Sequence, residues 1–127
     1  MGIAAQPLSE IPDRTAVVSK ALLRSSELLG LTAKELAHIV GLSEPSISRL
    51  KRSLDGAPLT GKSYELALLF IRLYRSLDAI VGGDDAVART WMRTDNSVLG
   101  GKPLHRIKTI DGLTHVLAYL DARRAPI

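Results

Sequence analysis

The chain contains no cysteine. That excludes disulfides, thiol nucleophiles and thiolate metal sites, and it fits a reducing compartment. Aromatic residues make up only 4% of the 127 residues, which argues against a base-stacking platform for RNA or single strands. No apolar run is long enough to span a bilayer, so no membrane association is expected. Residues 1–12 have neither a basic start nor a continuous apolar stretch and do not read as a signal peptide. No alternating pattern suggests a strand, no repeat is visible, and no block of like charge stands out. Apolar residues nevertheless reach 46%, enough for a packed core. The net charge is +4 and the pI about 9.7, which suits nucleic acid without establishing it. These features together predict a soluble, cytoplasmic, all-α protein of one domain or two small ones.

The richest segment is TAKELAHIVGLSEPSISRLKR, residues 32–52. Thr32 and Glu35 have the spacing of a capping box, in which each side chain meets the other's backbone N–H. Leu36, Ala37 and Val40 share one face of the helix that follows. Gly41 stands where a helix ends in a left-handed residue. Ser43 caps a second helix, and Pro45 falls in its first turn, where an N–H has no intrahelical partner. Ile47 and Leu50 face inward. Two short helices joined by such a turn form a helix-turn-helix, whose second helix enters the major groove of DNA. The outward residues are then Ser43, Glu44, Pro45, Ser46, Ser48, Arg49, Lys51 and Arg52. Arg49 suits a bidentate pair to guanine, and Glu44 suits a cytosine amino group while repelling phosphate. Lys51 and Arg52 suit backbone phosphates.

Around this segment the pattern predicts a loose arm over residues 1–12, a helix over 13–29 and a loop over 53–63. The helix should cover the core with Val17, Val18, Ala21, Leu22, Leu28 and Leu29 and stop at Gly30. The expected division is a helix-turn-helix domain over 13–63 and a second domain over 64–127. A long helix over 64–81 carries only a narrow polar strip, Glu65, Arg72, Arg75 and Ser76. It must be buried on more than one side, by its own domain or by a subunit interface. Asp84 caps the next helix, in which Trp91 reads as a core anchor. Residues 94–103 form a loop, 104–110 a helical turn, and a last helix starting at Thr109 or Asp111 ends before Pro126.

Catalytic chemistry finds no frame. His38, His105 and His115 are far apart and lack a second ligand on the same helix face, so no metal site is expected. Asp84 and Asp85 serve as a helix start. Gly100, Gly101 and Lys102 lack the spacing of a nucleotide-binding loop and read as a turn. No enzyme activity and no cofactor are expected.

The second half reads LYRSLDAIVGGDDAVARTW from Leu73, RTDNSVLGGKPL from Arg93 and IDGLTHVLAYLDAR from Ile110. These stretches resemble the toxin-binding domain of the Xre/MbcA/ParS antitoxins, and an Xre-type helix-turn-helix upstream is in the order that family uses. The resemblance implies a type II antitoxin. Its partner would be a RES-domain toxin that depletes NAD, neutralised by an antitoxin whose C-terminal end blocks the NAD site. Carried over, the blocking residues are Arg123, Arg124, Pro126 and Ile127, a cationic chain end suited to replace contacts of an anionic dinucleotide. The resemblance also implies a homodimer that binds operator DNA and represses its own operon. The alternative is a dimeric regulator whose second domain serves only dimerisation or ligand sensing. A third is an adapter whose helix-turn-helix no longer binds DNA.

Overall fold

The computed structural model describes residues 14–53 and 59–124. The arm at 1–12, the middle of the expected loop, Pro126 and Ile127 lie outside these residues. The described part is all-α: α1 (Arg14–Leu28), α2 (Ala33–Val40), α3 (Glu44–Arg52), α4 (Gly61–Ile80), α5 (Asp85–Arg93), α6 (Pro103–Arg106) and α7 (Ile110–Arg124).

The start signals act as their chemistry dictates. Thr32 Oγ1 accepts from Glu35 N at 3.1 Å and Thr32 N donates to Glu35 Oε1 at 2.9 Å, closing the capping box of α2. Gly41 follows α2 at φ +71°, a conformation that costs a residue with a Cβ about 1–2 kcal/mol. Ser43 Oγ accepts from Ser46 N at the start of α3. Asp84 Oδ1 accepts from Ala86 N and Val87 N at the start of α5. Thr109 Oγ1 accepts from Gly112 N and so opens α7.

The 20-residue α4 is the central post. It packs most extensively against α7, then against α1 and α2, with a smaller contact to α5. Its broad apolar surface is therefore covered on several sides by its own chain, and only Leu68 and Ile80 among its large apolar residues remain exposed. The core is continuous from α1 to α7: Leu22, Leu36 and Ile47 join Phe70, Leu73 and Leu77, then Met92, Leu104, Leu113 and Val116. The division expected at 63/64 falls within the first turn of α4, and packing does not break there.

Three side chains differ from their expected settings. Val17 is 55% exposed, because at about 100° per residue it lies far from the stripe that Val18, Leu22 and Leu29 define. Ser19, Ser25 and Ser26 complete that buried stripe. Ser76, expected on the polar strip of α4, is fully buried. Its hydroxyl donates to Asp121 Oδ1 at 2.7 Å, which gives a buried polar group the partner it requires. Trp91, expected as a core anchor, is half-buried and stacks on Tyr119 with ring centroids 6.3 Å apart.

Candidate functional site

The first candidate surface is α3. Ile47 and Leu50 are completely buried against the rest of the core and fix its rotation. The helical period of about 100° per residue then puts Pro45, Ser48, Arg49 and Arg52 at the middle of the outward face. Ser43, Glu44, Pro45, Ser48, Arg49, Lys51 and Arg52 are exposed, and Ser46 is half-buried. Lys51 sits to one side and lines a 570 Å³ cavity with Leu23, Glu27 and Leu31, close to the end of α1. Glu44, seven residues earlier and therefore on the same side of the helix, lies two turns away beside Lys34 and His38 of α2. Ser43 Oγ donates to Ser46 Oγ at 2.9 Å, and Arg49 Nη2 donates to the same Ser46 oxygen at 3.0 Å. The guanidinium is thus folded back along its helix and must release one bond to reach outward. Basic residues crowd the last turn of α3, where Arg49, Lys51 and Arg52 also meet the negative end of the helix dipole.

The second candidate surface is the C-terminal end of α7 with the neighbouring face of α5. Arg123 lies over the Tyr119 ring, its guanidinium carbon 4.2 Å from the centroid, within cation–π range. Tyr119 in turn stacks on Trp91. Trp91 lines a 460 Å³ groove with Ala86, Val87, Thr90 and Thr94. That groove runs along the side of α5 opposite its buried residues Ala88 and Met92. None of the five residues that line it is charged, whereas the outward side of an exposed helix is ordinarily polar.

Arg124 is held differently. Its Nη1 donates to Ser76 Oγ at 3.3 Å, Ser76 donates to Asp121, and Asp121 also pairs with Arg72. Of the four residues expected at the blocking end, Arg123 and Arg124 are therefore exposed but engaged on their own fold. Sequence reasoning missed Trp91, Tyr119 and Val87 as surface residues. Their spacing is that of any amphipathic helix, and only the packing of α5 on α4 and α6 shows which side stays open.

Between α5 and α6 the chain reverses in a tight turn. Asn96 and Gly101 exchange both backbone hydrogen bonds at 3.1 Å, and Asn96 Oδ1 accepts from Val98 N and Leu99 N. Leu99 is thereby driven into the core. The Gly100–Gly101 pair serves this reversal, at φ +76° and +147°.

The two halves are joined by ions. Arg93 of α5 grips Glu35 of α2 through two nitrogens, Nη1 to Oε2 at 3.1 Å and Nη2 to Oε1 at 3.0 Å. These bonds hold the Glu35 carboxyl below its ordinary pKa, against the opposing effect of burial, with the Thr32 N–H adding to the depression. Arg93 is correspondingly raised, first by its bonds to Glu35.

A helix-turn-helix with an exposed, basic-ended second helix is thus continuous with a helical unit that offers a separate uncharged groove. Comparison with known families places both segments. A family model described as the antitoxin Xre-like helix-turn-helix domain matches residues 11–72. A second, described as the antitoxin Xre/MbcA/ParS C-terminal toxin-binding domain, matches residues 76–125. The chain belongs to the Xre/MbcA/ParS antitoxins. Comparison with curated proteins gave no match. Among the described residues, no helix is long and apolar enough to cross a membrane.

Proposed function

We propose that this chain is a cytoplasmic type II antitoxin, without catalytic activity of its own, that neutralises a RES-type NAD-depleting toxin by direct binding and represses its own operon. The observation that carries the reading is the order of the two matched segments, a helix-turn-helix at 11–72 followed by a toxin-binding segment at 76–125. Residues 13–63 serve DNA and residues 64–127 serve the toxin, with α4 as the shared post. On DNA, Arg49 reads a base edge. Ser43, Ser46 and Ser48 offer small polar contacts, Glu44 and Pro45 shape the entry of the helix, and Lys51 and Arg52 hold phosphates. A homodimer presents two such helices to half-sites about one helical turn apart.

On the toxin, Arg123, Arg124, Pro126 and Ile127 block the active site. The seat of Arg123 on Tyr119 supports this reading, since moving off the ring frees its guanidinium and releases an aromatic face at once. The groove along Val87, Thr90 and Trp91 is the adjoining apolar contact, of the kind in which aromatic anchors carry most of the binding energy. Deleting residues 125–127 together with Arg123→Ala leaves the Ser76–Asp121–Arg124 network in place. Neutralisation of the co-expressed toxin is expected to weaken while operator binding is retained. Full neutralisation by that variant would sink the blocking role.

A further inference from the structure

One side of α5 faces the other half of the chain rather than any partner. Arg89 Nε donates to the carbonyl of Leu28 at 2.9 Å, at the end of α1. Arg93 Nη2 donates to the carbonyl of Gly30 at 3.1 Å and, with Nη1, to both oxygens of Glu35. Glu35 is the residue that closes the capping box of α2, its Oε1 also accepting from Thr32 N. Two arginines thus hold three consecutive features: the last turn of α1, the turn at Gly30 and the first turn of α2. Gly30 fits this twice over. Its φ of +69° suits the turn, and a Cβ there would stand 3.4 Å from Arg89 Cδ. Glu35 is the more covered partner, its side chain 18% exposed against 44% for Arg93, so the bidentate bond is screened in part by solvent.

What these arginines hold determines where α3 lies. Leu36, Ala37 and Val40 of α2 are buried in the same cluster as Ile47 of α3, and the two helices are joined by the short turn at Gly41. A shift in the start of α2 therefore reaches α3 as a rigid-body displacement. The open groove of α5, along Val87, Thr90 and Trp91, lies on a different side of the helix from Arg89 and Arg93.

We propose that Arg89 and Arg93 are positioning residues for the recognition helix, so that operator affinity is set from within the toxin-binding segment. The inference rests on the DNA-binding reading for its readout. It carries a reciprocal consequence: if a protein seated on the open groove of α5 changes operator affinity, operator changes the affinity for that protein by the same factor.

The test uses the full chain and a duplex covering the region upstream of its own reading frame, with an unrelated duplex of equal length. Arg93→Gln removes the grip. Glu35→Gln removes only the charge that Arg93 meets, because glutamine also serves a capping box. Each is expected to lower affinity for the upstream duplex by roughly tenfold, within the usual range of coupling between sites. The double variant should do no worse than either single one. Affinity for the unrelated duplex should be unchanged, since every phosphate-binding side chain is retained. Amide exchange should quicken over residues 28–36. Unchanged affinity for the upstream duplex in Arg93→Gln would overturn the proposal, as would equal losses on both duplexes or losses that add in the double variant. A parent chain that does not prefer the upstream duplex would bring down the DNA-binding reading and this inference with it, a result visible in the first titration.

Discussion

Gly112 and Arg49 illustrate what a single residue decides. An added Cβ at Gly112 would stand 1.7 Å from the carbonyl oxygen of Arg106, which is backbone and must shift bodily. Gly112→Ala is therefore expected to destabilise the fold by about 1–3 kcal/mol, as overpacking does, read as a lower urea midpoint. Arg49→Ala leaves the fold alone and is expected to cost about 1–3 kcal/mol of discrimination at one base pair, measured by titrating operator variants. The caps were legible at this scale because their chemistry is local: Thr32 and Glu35, Ser43 and Ser46, Asp84 and Ala86 lie within three residues of each other. Ser76 was not legible. Its partner Asp121 is 45 residues away, and a serine beside Arg72 and Arg75 reads as solvent-facing until that partner is placed.

At the scale of elements, the helix-turn-helix was readable because turn, caps and inward residues agree within 21 residues of sequence. The breadth of the apolar surface on α4 was readable too. What covers it was not, because periodicity reports the width of a stripe and not which neighbour meets it. In the structure α1, α2 and α7 do so. The same limit hid the open side of α5. On the proposed reading, Trp91→Ala is expected to weaken toxin binding by about 2 kcal/mol or more, the range of interfacial aromatic anchors, in a titration with purified toxin.

The contact between α5 and α2 also has a pH signature. Glu35 has a lower pKa folded than unfolded, so its contribution to stability is present above the ordinary carboxylate range and is lost as pH falls through the depressed folded value. The gap between the urea midpoints of the parent and Arg93→Gln should therefore be widest at neutral pH and narrow in acid, leaving the share that the Gly30 carbonyl bond supplies. A difference that does not narrow in acid would assign the effect of Arg93 to something other than Glu35.

At the scale of the whole molecule, one continuous core runs through both matched segments: α4 packs against α1 and α2 of the helix-turn-helix segment and against α7 of the second. The toxin-binding character of the second half was legible only through resemblance, carried by Trp91, Asn96, Leu99–Gly100–Gly101 and Pro103–Leu104. Physics explains those residues as a helix, a reversal and a return to the core, and leaves their partner open. On the proposed reading, the most direct measurement of the central claim is NAD hydrolysis by a cognate RES-type toxin, titrated with the purified protein. The account predicts that hydrolysis falls to background at a fixed stoichiometry, and that the variant lacking residues 125–127 and the Arg123 side chain needs a large excess to do the same. Hydrolysis that continues undiminished with the intact chain in excess would contradict it.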